Sequence, residues 1–143
     1  MMPHAPGEQQ VDWLVFGSGA AGLSAALVGR MEGMDVLLCE KTALIGGTTA
    51  TSGGTIWVPG SRQSQATPTP DDLSSARRYL EGEVGAHGAV ELRETLLATG
   101  PEMLDYLAEN TEVRFKANSP YPDYHAEQPG GAQGGACPVA GSL

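Results

Sequence analysis

Val11-Asp12-Trp13-Leu14-Val15-Phe16-Gly17-Ser18-Gly19-Ala20-Ala21-Gly22 is the stretch whose reading decides the fold. Its first half is a nearly continuous apolar run, as expected of a strand buried on both faces of a parallel sheet. The run stops at Gly17. From Ala20 to Met31 the apolar spacing becomes helical, with Leu23, Leu27 and Met31 on one face and Gly33 supplying a C-terminal stop. Val36-Leu37-Leu38-Cys39-Glu40 then reads as a second strand. Strand, glycine turn, helix and strand within about 30 residues make a βαβ unit, whose strands lie parallel and whose crossover is right-handed. The predicted fold class is therefore α/β and Rossmann-like.

Each glycine of the turn has a mechanical reason. In G-x-G-x-x-G spacing, Gly17 permits the tight turn, Gly19 lets backbone approach a pyrophosphate, and Gly22 lets the helix pack on the strand. The helix N-terminus offers unpaired N–H groups and the positive end of its dipole to phosphates. The hexapeptide alone is weak; preceded by a strand, succeeded by a helix and answered by Glu40, whose carboxylate can accept from ribose hydroxyls, it predicts dinucleotide binding.

The residues after Glu40 bear on which dinucleotide is bound. Lys41 and then Gly46-Gly47-Thr48-Thr49-Ala50-Thr51-Ser52-Gly53-Gly54 form a loop rich in glycine and hydroxyls. A nicotinamide Rossmann domain has no evident need of two glycine doublets there, whereas a longer cofactor extending past the turn needs backbone close by. A flexible surface loop is the competing reading, because glycine is also the ordinary loop residue.

The rest of the chain is read more coarsely. Ile45 to Gly60 is expected to be loop and Gln63 to Pro70 a polar linker. Asp71 can cap a helix running to about Leu80, another helix passes through Leu92 and Leu96, and Pro101 suits the first position of a third carrying Met103, Leu104, Leu107 and Ala108. Thr111 to Phe115 alternates like a strand with one buried face, and the last thirty residues carry no core pattern.

Composition narrows the function classes. With 143 residues, 41% of them hydrophobic, the chain is long enough for a buried core. A net charge of -9 with only eight Lys and Arg argues against a nucleic-acid surface. No stretch approaches the roughly 18 apolar residues of a membrane span, and Met1 to Gln10 has neither the basic nor the apolar region of a secretion signal, so a cytoplasmic location is expected. Cys39 and Cys137 are unpaired in spacing, and His4, His87 and His125 are scattered, so no metal site is expected.

Glu40-Lys41, Gly46-Gly47-Thr48-Thr49-Ala50 and Ser52-Gly53-Gly54-Thr55-Ile56-Trp57-Val58-Pro59 together resemble the FAD-binding segment of the fumarate reductase/succinate dehydrogenase flavoprotein superfamily. Within it they are most similar to the 3-ketosteroid Δ1-dehydrogenase branch. Pro101-Glu102-Met103-Leu104, Tyr121-Pro122-Asp123-Tyr124-His125 and Gly130-Gly131 are similar to that branch as well. The resemblance implies a flavoprotein oxidoreductase acting on a CH–CH group beside a carbonyl, with a small-molecule substrate of the 3-ketosteroid kind.

Residue by residue, the resemblance assigns Gly17, Ser18, Gly19, Ala20, Ala21 and Gly22 to the ADP pyrophosphate, Glu40 to the ribose and Lys41 to the adenosine side, against the plainer reading of Lys41 as a solvated side chain. Gly47, Thr48, Thr49, Ser52, Gly53 and Gly54 would line the flavin half. Tyr121, and after it Tyr124, are the candidates for a phenol beside flavin and substrate that donates a hydrogen bond or relays a proton; a loop aromatic is the competing reading for both. Gly47 stands where succinate dehydrogenase flavoproteins carry the histidine that attaches FAD, so the resemblance implies noncovalent FAD. Family members are much longer, and the segment Gly134-Gly135-Ala136-Cys137-Pro138 departs from their Gly-Gly-Arg. The expectation is thus a disordered tail over 1–10 and, over 11–143, the N-terminal part of an FAD-binding domain without the substrate-capping domain. A soluble fumarate-reductase-like flavoprotein, a nicotinamide-binding Rossmann protein and a truncated fragment without catalysis are the alternatives.

Overall fold

The computed structural model describes residues 8–117, 121–132 and 138–142. Residues 1–7 of the expected tail, and Gly134 to Cys137, lie outside the described residues. The chain divides into two compact units, Met1–Gly54 and Thr55–Leu143.

The first unit is the βαβ motif. Strand β1 (Trp13–Phe16), helix α1 (Ala20–Met31) and strand β2 (Val36–Cys39) occur in that order, and β1 pairs with β2 in parallel, Trp13 opposite Val36 and Phe16 opposite Cys39. The expected boundaries hold to within two residues, with Glu40 just beyond β2. One expectation fails: β1 is not buried on both faces. Val15 is buried, whereas Leu14 is 45% and Phe16 77% exposed. Among the described residues the parallel sheet has two strands, so β1 has a hydrogen-bonded neighbour on β2 alone. α1 packs on the pair through Gly29, where an added Cβ would lie 2.9 Å from the Trp13 ring and 3.1 Å from Val36. The glycine-rich stretch expected to be loop contains a 3-10 turn, Gly47–Thr51.

The second unit holds strand β3 (Thr55–Trp57), helices α2 (Arg62–Gln65), α3 (Leu73–Val84) and α4 (Val90–Asn110), and strands β4 (Arg114–Ala117) and β5 (Pro138–Ser142). Its sheet is antiparallel in the order β3-β5-β4. The core gathers on buried Val58 and Leu104, with Ile56 and Phe115 packed against them.

Several sequence expectations are corrected here. β3 occupies a stretch read as loop, and α2 occupies part of the expected linker because Ser61 caps it, its hydroxyl accepting from Ser64 N–H at 3.2 Å. The cap of α3 is Asp72, which accepts from Ser75 N–H at 2.9 Å. Asp71 instead accepts from Gly60 N–H at 2.9 Å and from the Ser64 hydroxyl, tying the α2 segment to the start of α3. Pro101 does not begin a helix: α4 runs through it. A proline inside a helix forfeits the bond to the carbonyl four residues earlier, here Leu97. The helix survives because Leu97, Gly100, Leu104 and Leu107 bury one side of it across that point. The strand expected over Thr111 to Phe115 lies slightly later as β4, with Phe115 and Ala117 on its more buried face. β5 falls in the segment where no core pattern was read.

Candidate functional site

The parallel register puts the turn after β1 directly beside the end of β2. Gly17 N–H donates to the Cys39 carbonyl at 2.7 Å, extending the ladder by one bond before the chain turns. α1 then begins with Gly19 as its N-cap, in extended backbone and without a side-chain cap. The first in-helix bond runs from Leu23 N–H to the Gly19 carbonyl at 2.9 Å. The N–H groups of Ala20, Ala21 and Gly22 therefore precede the helical ladder and face outward at the positive end of the dipole. Ala20 N–H donates to Thr49 Oγ1 at 3.2 Å.

Gly22 and Gly19 differ in what surrounds them. A Cβ on Gly22 would lie 1.9 Å from the Gly17 carbonyl oxygen, so the helix lies on the turn with no room for a side chain. A Cβ on Gly19 would meet only Thr49 Oγ1, at 3.9 Å, so the outer side of the turn is open. Outward N–H donors, a positive helix end and an open backbone face together fit a pyrophosphate.

Ser18, a freely variable position in the motif, is fully buried. Its N–H and its hydroxyl both donate to Glu40 Oε2, at 2.9 and 2.6 Å, and its Oγ accepts from Gly46 N–H at 2.9 Å. One small side chain thus joins the glycine turn, the Glu40 carboxylate and the loop beyond it. Thr42 holds the other oxygen, its N–H and hydroxyl donating to Glu40 Oε1 at 3.0 and 3.2 Å. Bonds from Ser18 first, then Thr42, favour the charged form and lower the Glu40 pKa from 4.5 to about 2. Glu40 is a fixed anion beside the turn, suited to accept from hydroxyls.

The loop after Glu40 is built on the same turn. Gly46 is buried at φ +105° with a Cβ position 2.5 Å from Ala50 Cβ, so the close return of the 3-10 turn requires glycine. A Cβ on Gly47 would lie 3.4 Å from Gly19 Cα, which sets the second glycine doublet against the first turn. The Ser52 hydroxyl donates to the Thr49 carbonyl at 2.7 Å and accepts from Gly54 N–H at 3.1 Å, closing the far end. Lys41, Thr48, Ser52, Gly53 and Gly54 are exposed. Sequence reasoning missed Thr42 and Gly46; the signal available was a hydroxyl residue two positions after an acidic one, a spacing that closes local turns.

In the second unit, Tyr121 and Tyr124 lie on the loop after β4. They help line a cavity of about 300 Å³ with Ile56, Trp57, Tyr79 and Pro122. Tyr121 is 58% exposed and Tyr124 wholly so. Tyr79 is buried, its phenol accepts from His125 N–H at 3.3 Å, and burial pushes its pKa upward. His125 Nδ1 lies 2.6 Å from Glu83 Oε2, and that carboxylate raises the imidazole pKa.

Residues 12–140 match the model of the FAD binding domain. The chain belongs to this family. FAD, rather than a nicotinamide dinucleotide, is accordingly the cofactor of the domain. Relatives of the FAD-binding domain include the 3-oxosteroid 1-dehydrogenase of Mycobacterium tuberculosis H37Rv, 39% identical over 89% of the chain and 23% of the relative. The 4-oxocyclohex-2-ene-1-carboxylate 5-dehydrogenase of Sinomonas cyclohexanicum is 38% identical over 87% of the chain and 21% of the relative. Among solved structures, the 3-ketosteroid Δ1-dehydrogenase of Sterolibacterium denitrificans, crystallised with 1,4-androstadiene-3,17-dione, superposes with a TM-score of 0.83 at 32% identity, covering 93% of this chain and 23% of that one. The domain thus spans less than a quarter of the length of these proteins. Their names agree with the resemblance read from Glu40 to Pro59. No helix among the described residues is long and apolar enough to cross a membrane.

Proposed function

We propose that this FAD-binding domain is the cofactor-holding front region of a flavoprotein that dehydrogenates a carbon–carbon bond beside a ring ketone, with a 3-ketosteroid as the substrate class and FAD held noncovalently. The observation that carries the cofactor part is the three-way junction at Ser18, which joins the phosphate turn, Glu40 and Gly46. In this reading the outward N–H groups of Ala21 and Gly22, with Ala20 beside Thr49, hold the pyrophosphate; Glu40 accepts from the ribose and Lys41 stands by the adenosine. Gly47, Thr48, Thr49, Ser52, Gly53 and Gly54 line the flavin half. Bound FAD supplies hydride acceptance. The chain's own part is to fix the cofactor's ADP end on rigid backbone and, through Tyr121 or Tyr124, to donate a hydrogen bond or relay a proton at the ketone. Gly47, at the position of the attaching histidine, offers no side chain for a covalent link.

The substrate class rests on extent of similarity. Relatives named for ring-ketone dehydrogenation match 81% to 90% of the chain. A urocanate reductase of Eggerthella lenta is 43% identical but over 41% of it. The longer match favours a ring ketone over urocanate as the substrate class.

Titrating the purified protein with FAD should give saturable quenching of flavin fluorescence that ADP competes away, and acid precipitation should leave yellow flavin in the supernatant. Colour retained in the pellet refutes the noncovalent link. With FAD bound, 1,4-androstadiene-3,17-dione should perturb the flavin spectrum; a response to succinate and none to the steroid would overturn the substrate class.

A further inference from the structure

The loop from Tyr121 to Ala132 is closed through one carboxylate. Asp123 N–H donates to the Ala132 carbonyl at 3.1 Å, and Ala132 N–H returns to Asp123 Oδ2 at 2.9 Å. The other oxygen, Oδ1, accepts from Trp57 Nε1–H of β3 at 3.1 Å. Both oxygens of this half-buried group are engaged. Its influence runs through what it holds. An indole has one polar donor, and anchoring it fixes the ring's rotation; Trp57 is held on a second side by Tyr79, its ring centroid 6.1 Å away at a 48° tilt. The loop's return is equally constrained, since a Cβ on Gly130 would lie 2.2 Å from the Ser75 carbonyl oxygen of α3. Trp57, Tyr79, Tyr121 and Tyr124 are walls of the one cavity, whose volume of about 300 Å³ is at the lower end for small-molecule sites. Asp123 joins the wall contributed by β3 to the walls contributed by the loop.

We propose that Asp123 is a positioning residue that sets the width of this cavity for a flat ring ketone by orienting Trp57 against the tyrosine loop. The proposal rests on the ring-ketone reading above. Trp13 and Trp57 are the two tryptophans, so a Trp13→Phe background leaves Trp57 as the single indole in a proton–nitrogen NMR spectrum. In that background Asp123→Ala should shift the Trp57 Nε1–H resonance and speed its exchange with water; an unmoved resonance overturns the proposal. With FAD bound and 1,4-androstadiene-3,17-dione as the probe, Asp123→Ala should weaken binding about tenfold when Trp57 is present and less than about twofold in a Trp57→Phe chain. Equal losses in both backgrounds would show that Asp123 acts on the loop alone, and the proposal fails. If the alanine variant does not fold, Asp123→Asn serves, since its amide can accept at one oxygen only and must leave Trp57 or Ala132 without its acceptor. A moved indole resonance in a protein that binds no steroid supports the positioning of Trp57 while refuting the ring-ketone reading, so the two failures are distinguishable.

Discussion

Replacing Ser18 with alanine removes a single oxygen and tests the junction on which the proposed cofactor site rests. The hydroxyl donates to Glu40 Oε2 at 2.6 Å and accepts from Gly46 N–H at 2.9 Å, in a side chain with no exposed surface. Gly46 is itself buried, so its N–H loses an acceptor in a place water does not reach. An unpaired buried donor costs about 1–3 kcal/mol, which for a chain of this size corresponds to a fall in Tm of about 3–12 °C. A second effect appears in the pH dependence. The Ser18 hydroxyl is the largest cause of the lowering of the Glu40 pKa from 4.5 to about 2, and the Ser18 and Thr42 backbone bonds remain in the variant, so the pKa should rise part of the way back. A carboxylate with a depressed folded pKa stabilises the fold above its unfolded value and loses that contribution as pH falls through the folded one. The gap in Tm between wild type and Ser18→Ala should therefore be widest above pH 4.5 and narrow toward pH 2, leaving the share due to Gly46. Thermal melts across that range, with a carbon NMR titration of Glu40, read both effects. A Tm within about 1 °C of wild type at neutral pH, or an unmoved Glu40 titration, would refute the junction, because so small a margin does not accommodate a lost buried acceptor.

Gly22→Ala places a Cβ 1.9 Å from the Gly17 oxygen, and moving that pair to even 3.0 Å shifts the turn by 3.0 − 1.9 = 1.1 Å. Overpacking of this kind costs about 1–3 kcal/mol, and because it displaces the turn proposed to hold the phosphates, FAD affinity measured by fluorescence titration should fall at least tenfold; affinity unchanged within threefold would count against the turn as the pyrophosphate site. Glu83 raises the His125 pKa above 6.5, so their pairing stabilises the fold below that value and is lost as pH rises through the folded pKa. Glu83→Gln should return the His125 imidazole titration, monitored by proton NMR, toward 6.5; a midpoint equal to that of wild type would show that the 2.6 Å contact does not persist in solution.

The division between what the sequence disclosed and what it hid tracks the range of the interactions involved. In the first unit every signal is local: apolar runs for two strands, helical spacing between them, and glycines at positions where backbone approaches backbone. That is why α1 and the βαβ order were legible to within a residue or two. The burial of β1 was not, because burial depends on neighbours that periodicity cannot count. The second unit is governed by competition between adjacent or distant groups. Asp71 and Asp72 are equally good caps by composition; tertiary bonds from Gly60 and Ser64 claim the first and leave the second to α3. Pro101 reads as a helix start until buried leucines on both sides of it carry the helix through. β5 is read from its partners alone, its own Pro138 and Gly141 being poor strand signals. Ser18 shows the same limit inside the motif itself. The glycines are fixed by what must be absent there, side-chain atoms, and so are visible as a pattern. Ser18 is fixed by what must be present, one hydroxyl aimed at a carboxylate 22 positions away, and no spacing rule records that requirement.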